Sequence, residues 1–277
     1  TRARDKAGAI VTPVLKCVNK EVLEIYGKNA ALANSIANDA GFKAAFTSRD
    51  KAAIGQALKS AFDRAGFSGY GTIILENNGV VLYSSDSPNK SGYSTDVRNK
   101  DVVGPALNGQ PKSALCAPSD TGTLCLSSMV PIRVADKIPA VLAISTPFGN
   151  ELLQGMERKI KITNDNLKDF DMAFYNMPAG KVVACSPNLQ NIKPPFLDRL
   201  NSAKQASELK DGEAEGRLWK ALPIWGPTGP PNAMGLVYIA APIQNTIPNA
   251  FVLLSQLGVA AGAALMLSLL FSTGLNQ

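Results

Sequence analysis

From the first apolar hairpin to the strands that follow it, the sequence places Tyr83, Tyr93, Arg98, Asp101, Asp120, Ser127 and Met129. In such a set a guanidinium such as that of Arg98 holds a carboxylate by two parallel, charge-assisted hydrogen bonds, Asp101 or Asp120 takes an amine, and the tyrosines supply a wall. That is the chemistry of capturing a small solute. Chemistry that transforms one is harder to assemble, because the 277 residues include no histidine. Ser-His-Asp and Cys-His catalysis and histidine-ligated zinc or haem are thereby excluded. Ser87-Pro88-Asn89-Lys90 and Ser207-Glu208-Leu209-Lys210 both fit a Ser-x-x-Lys pattern, but neither Ser-Asp-Asn nor Lys-Thr-Gly accompanies them. Nucleophile-elbow, phosphate-loop and calcium-loop motifs are absent as well. The sequence predicts no enzyme, no cofactor and no metal site.

Four cysteines are too few for a disulfide scaffold, and none stands in a Cys-x-x-Cys spacing. Cys116 and Cys125 flank Ala-Pro-Ser-Asp-Thr-Gly-Thr-Leu, whose Pro118, Ser119, Asp120 and Gly122 supply turn chemistry between two apolar runs. Antiparallel strands on either side would bring the two thiols together. The expectation is either a disulfide, which suits an oxidising periplasmic or extracellular compartment, or two separately buried thiols. Cys17 and Cys185 are expected to be unpaired, with Cys17 on a helix that faces a second copy of the chain.

The elements that must position these residues are read from apolar period. Val11, Val14, Leu15, Val18, Val22 and Ile25, then Leu32, Ile36, Phe42, Phe46, Ile54, Leu58 and Phe62, recur at helical spacing. The simplest reading is one long helix of about 25 residues, Pro13 in its first turn, followed by shorter helices interrupted and capped at Asp39-Ala40-Gly41 and Ser48-Arg49-Asp50. From Thr72 the period becomes that of strands. Thr72 to Leu75 and Val80 to Tyr83 form a hairpin about Asn77-Asn78-Gly79. A short helix over Asp101 to Leu107 and strands over Leu124 to Val134 and Ala140 to Ser145 follow.

That order occurs twice. Met172 to Tyr175 and Lys181 to Ala184 repeat the hairpin, Ser186-Pro187-Asn188 repeats Ser87-Pro88-Asn89, and Pro195 to Lys204 supplies a helix. Leu222-Pro223-Ile224 then echoes Val130-Pro131-Ile132 before a strand over Met234 to Ala240. The offsets drift from about 99 to about 92 residues, as between duplicated modules.

Charge is distributed unevenly. The net charge is +6, but basic and acidic residues are interspersed and form no nucleic-acid arm. From Ala221 to Gln277 there is no charged residue, and within that tail 251 to 271 is apolar apart from Ser255, Gln256 and Ser268. About 21 residues at about 1.5 Å rise cover about 30 Å of hydrocarbon, so a membrane-spanning helix is expected there. Gly258 and Gly262 give it small-xxx-small spacing. The chain starts at Thr1 with no signal-peptide pattern, and the natural protein is expected to continue in both directions, with an anchor helix upstream.

Taken together, the long first helix, LANSIANDAGFKAAF, the hairpin TIILENNGVVLYSSD, GYSTDVRNKDVVGPALNG, the strands TGTLCLSSMVPIRV and IPAVLAIST, a smaller second module and a spanning helix resemble the double Cache sensory region of bacterial methyl-accepting chemotaxis receptors. The resemblance implies an α+β chain divided as 1–67 (helical stalk and dimerisation), 68–150 (membrane-distal PAS-like module), 151–246 (membrane-proximal PAS-like module) and 247–277 (transmembrane helix). It implies a periplasmic homodimer tethered in the lipid of the inner membrane, with a small ligand in the distal module and a cytoplasmic signalling domain of the same protein beyond. Arg98 and Asp120-Thr121-Gly122 match the pocket pattern of amino-acid-binding members, but Asn99-Lys100-Asp101-Val102 stands where aromatics follow the arginine. The ligand is thus expected to be a small metabolite, with a carboxylate for Arg98 and Lys100. The rival expectations are a membrane-anchored interaction domain, or the sensor region of a histidine kinase or nucleotide cyclase.

Overall fold

The computed structural model describes residues 2–66, 71–78, 80–85, 100–116, 123–189, 212–214, 216–226 and 233–243. Three helices come first: α1 (Arg2–Asn38), α2 (Ala40–Ser48) and α3 (Lys51–Ala65). Asp39 caps α2 by accepting from Phe42 N, and Asp50 caps α3 by accepting from Ala52 N and Ala53 N. Both boundaries fall where the sequence put them, because a short acidic side chain satisfies helix-start N–H groups that nothing else reaches.

The first helix differs from expectation. It is 37 residues long and starts well before Pro13, which lies inside it. Proline there removes one backbone hydrogen bond. The apolar stripe Ala7, Val11, Val14, Val18 and Val22 is buried without a break on either side of it, and that burial holds the helix together. Farther along, Leu32, Ala33, Ile36 and Ala37 carry the stripe onto a different neighbour.

Those neighbours are two antiparallel sheets of the same topology. The first comprises β1 (Gly71–Glu76), β2 (Val81–Ser84), β3 (Lys112–Cys116), β4 (Cys125–Val134) and β5 (Lys137–Pro147), in the order β2-β1-β5-β4-β3. Helix α4 (Lys100–Leu107) precedes β3, and Gly109 closes it with a positive φ of 86°. The second sheet comprises β6 (Asp171–Asn176), β7 (Lys181–Cys185), β8 (Gly212–Ala214), β9 (Arg217–Trp225) and β10 (Ala233–Pro242), in the order β7-β6-β10-β9-β8.

The internal repeat is therefore present in the strand order, with one adjustment of register. The row Ile74, Leu142, Val130 in the first sheet corresponds to Phe174, Val237, Leu222 in the second, so Val130-Pro131-Ile132 and Leu222-Pro223-Ile224 occupy equivalent places. The serines do not match as their letters suggest. Ser186 Oγ accepts from Met172 N at 2.8 Å while Ser186 N donates to Met172 O. The residue doing the same in the first hairpin is Ser85, whose Oγ accepts from Thr72 N at 2.8 Å. Hydrogen bonding fixes the equivalence two residues away from the Ser-Pro-Asn pair; Ser87-Pro88-Asn89 itself lies outside the described residues.

Helix α5 (Asn150–Thr163), which the apolar pattern did not reveal, links the sheets. Its Leu153, Met156 and Ile160 join α1, Leu115, Leu124, Leu126 and Phe148 of the first half and Phe170, Met172 and Phe174 of the second in one core. The rings of Phe148 and Phe174 stack with centroids 3.9 Å apart. Among the described residues no helix is long and apolar enough to cross a membrane. The expected span at 251–271 and the expected helix at Pro195 to Lys204 lie outside the described residues.

Candidate ligand-binding face

Each sheet has one face on the helical layer and one turned away from it. On the first sheet, Ile74, Leu82, Val130, Ile132, Leu142 and Ile144 pack on α1, α2 and α3. The opposite face carries Leu75, Ala114, Cys116, Met129, Val141 and Ala143, over which Val103 and Ala106 of α4 are packed. Alternation along a strand puts Ser127 on this second face between Cys125 and Met129.

Of the residues singled out from sequence, Ser127 and Met129 are thus brought together, both buried. Asp101 lies on α4, the helix covering the face, though its side chain is outside the described set. Tyr93, Arg98 and Asp120 also lie outside the described residues. Tyr83 is placed elsewhere: it opposes Ile74 on the helical side, and a β-carbon built on Gly55 of α3 would stand 3.1 Å from its hydroxyl. The cause is a bulge between Ile74 and Leu75 that leaves Leu82 unopposed and resets the alternation of β2. Nothing in the letters of the hairpin marks that insertion.

Sequence reasoning missed the row of small residues on this face. Ser127 pairs with Ser145, Ser145 with Gly71 and Ser127 with Ala114, so one row across four strands is made only of small side chains. The Ser127 and Ser145 hydroxyls lie 2.8 Å apart. The equivalent row of the second sheet is Asp171, Ala240, Trp219 and Gly212. There the indole of Trp219 is fully buried with Tyr175 and Tyr238. Asp171 is held by Arg217, and Asn188 Nδ2 donates to it at 3.2 Å. The same scaffold therefore carries a row of small residues, two of them serines, in one copy and a large aromatic with an internal ion pair in the other.

Neighbouring elements bond to the strands that carry this row. Asn29 of α1 is buried, donating from Nδ2 to Leu126 O at 2.9 Å and accepting from Thr146 Oγ1 at 3.1 Å. Ser128, adjacent to Ser127 but on the other face, donates to Tyr26 O at 3.0 Å. In the second half Ser186 Oγ also donates to Glu157 Oε2 of α5 at 2.5 Å, and Lys161 reaches the other carboxylate oxygen.

At the end of the face Cys116 and Cys125 are directly opposed in register. Among the described residues there is no disulfide: Cys116 Sγ donates to Ala114 O at 3.6 Å and Cys125 Sγ to Thr123 O at 4.0 Å. Burial pushes the Cys116 thiol up to about 12, with the Ser127 hydroxyl offsetting part of that rise. Cys17 is half-buried and packs beside the shared core.

The raised value has a pH consequence. The unfolded thiol ionises near its ordinary value of 9.0 while the folded one stays protonated to about 12. Between these values the native state holds the extra proton, so stability falls as pH rises through the window, by up to about 1.4 kcal/mol per pH unit. Burial shifts Tyr26, Tyr175, Tyr238 and Cys185 in the same direction. Urea unfolding of the wild type and Cys116→Ala across this alkaline range should show a shallower decline in the variant; parallel curves would assign the loss to the other groups.

No protein-family model matches the chain, and no curated protein matches it. Solved structures do. The sensor domain of the Vibrio cholerae histidine kinase DctB aligns over 87% of this chain and 99% of its own, at 12% identity and a TM-score of 0.54. The periplasmic domain of Vibrio cholerae LuxQ aligns over 84% and 99%, at 11% identity and 0.55. The ligand-binding domain of the Campylobacter jejuni chemoreceptor Tlp3, in complex with L-norvaline, aligns over 89% and 94%, at 14% identity and 0.53. This chain shares the two-sheet fold of those domains. At such identities the likeness is one of architecture.

Proposed function

We propose that the chain is the extracytoplasmic sensing region of a bacterial transmembrane receptor, whose first module encloses a small solute while its second relays occupancy toward the membrane. The observation that carries this reading is the contrast between the row Gly71, Ser145, Ser127, Ala114 and its filled counterpart at Asp171, Ala240, Trp219, Gly212. A solute needs space and a few fixed polar groups, and small side chains with the paired Ser127 and Ser145 hydroxyls suit that need better than a buried indole does.

In this reading the described face takes the uncharged part of the solute. Arg98, with Asp120, Asp101 and Tyr93, takes its charged end, a carboxylate foremost. The ligand favours one packing of the first module over another only through its differential affinity for the two. The core shared by α1, α5 and both sheets is the connection through which such a change passes. The receptor is a periplasmic homodimer held in the inner membrane by a spanning helix at 251–271, and no step of catalysis is assigned to it. The Tlp3 likeness supports a chemoreceptor. The DctB likeness supports a second reading in which the same region drives a histidine kinase.

The test is calorimetric titration of the protein with L-amino acids and short mono- and dicarboxylates. At least one should bind, and Arg98→Ala should weaken it by about 10- to 100-fold, the size of a lost hydrogen bond to a charged group. Unaltered affinity would remove Arg98 from the site. A panel without any binder would favour the interaction-domain reading.

A further inference from the structure

We propose that Cys116 and Cys125 form a reversible disulfide site at the end of the candidate ligand face, closed and opened by thiol–disulfide exchange with small disulfides such as oxidised glutathione. The two residues are register partners on β3 and β4, at the last described pair of that ladder. Phe148 N donates to Leu124 O at 2.8 Å, which turns the backbone of Leu124 toward β5 and that of the next residue, Cys125, toward β3. Cys125 opposes Pro147 on its β5 side, where no N–H is available to pair. Cys116 and Cys125 are therefore a hydrogen-bonded pair, with α-carbons about 5.5 Å apart, inside the range that a disulfide spans.

The same geometry makes the bond labile. Side chains of a hydrogen-bonded pair stand farther apart than those of its neighbours, whereas a disulfide draws the β-carbons to about 3.8 Å. Closing the bridge pulls the two strand ends together and stores strain that reduction releases. Exchange requires the buried pair to open locally, an excursion that costs less than global unfolding. In the closed face the Cys116 thiol is a poor nucleophile, since burial keeps it protonated.

Exchange begins when the pair frays and the Cys125 thiolate attacks one sulfur of glutathione disulfide. The S–S bond of that reagent breaks, and the departing glutathione thiolate takes up the proton that Cys125 lost. The Cys116 thiolate then attacks Cys125 Sγ in the mixed disulfide and expels the second glutathione, which is protonated in turn. Two electrons pass from the protein sulfurs to glutathione, and one disulfide is exchanged for another. The bridge would fix the ends of β3 and β4 beside the row of Ser127 and Ala114, so the redox state of the surroundings would be written into the sensing face whichever solute occupies it.

Trypsin releases both cysteines in the single peptide that follows Lys112 and ends at Arg133, apart from Cys17 and Cys185. The full chain, equilibrated with oxidised glutathione and then alkylated, should yield that peptide unalkylated and lighter by two hydrogens. After transfer to reduced glutathione, without denaturant, it should return doubly alkylated. A peptide that stays doubly alkylated in oxidised glutathione, or one that carries only glutathione adducts, overturns the proposal. So does a bridge that reduced glutathione fails to open, since that bond would be a permanent structural one.

Discussion

Replacing Ser127 by tryptophan is expected to abolish solute binding in the first module, with a loss of at least about 100-fold in affinity, or about 2.7 kcal/mol. The substitution installs at Ser127 the residue that the second sheet carries at the equivalent place, Trp219. Its partners in the row, Ser145 and Ala114, are small, as are Ala240 and Gly212 around Trp219, so the larger ring has somewhere to lie. Adding volume to a buried position costs about 1–3 kcal/mol, and the melting temperature should fall without loss of the cooperative transition. Ser127→Ala separates the two effects: it removes one hydroxyl and adds no bulk, and should weaken binding only about 3- to 10-fold. Calorimetry with the best binder of the amino-acid and carboxylate panel reads both. Wild-type affinity in a folded Ser127→Trp protein would place the site away from this row.

Trp219→Ala should have the largest effect on stability, lowering the free energy of unfolding by about 3–5 kcal/mol. Trp219 is fully buried among Tyr175, Tyr238, Leu236 and Leu189. Its register neighbours Ala240 and Gly212 are too small to move into the space it leaves. Guanidinium unfolding measures the change, and the two halves should still unfold together because they share the core around Phe148 and Phe174. A loss under about 1 kcal/mol would mean that the row is not filled as described, and with it would go the contrast on which the proposed division of labour rests.

The two substitutions probe opposite ends of one comparison. A duplicated sheet supplies each residue with a counterpart, and the counterpart says what the same position does when used differently. In the second module Ser186 and Asn188 of the Ser-Pro-Asn motif are structural: one closes a hairpin and bonds Glu157, the other bonds Asp171. Asp171 and Arg217 satisfy each other there.

What the sequence determined by itself was local and periodic. Asp39 and Asp50 announce helix starts because capping needs only a carboxylate and the N–H groups two or three residues on. Hairpins, the short helix closed at Gly109 and the echo of Val130-Pro131-Ile132 in Leu222-Pro223-Ile224 were legible for similar reasons: turn chemistry and apolar alternation act over a few residues. The absence of histidine already turned the reading from catalysis toward binding. The tertiary structure alone decided which side chains share a face. A single bulge in β2 sent Tyr83 to the helices, the buried stripe of α1 carried that helix through Pro13, and α5 became visible only by what it covers. The row Gly71, Ser145, Ser127, Ala114 draws its members from four strands far apart in the chain. No local preference encodes such a row: its register is set by the sum of core burial and ladder hydrogen bonds across the whole sheet, and a shift of one residue would turn every member to the other face.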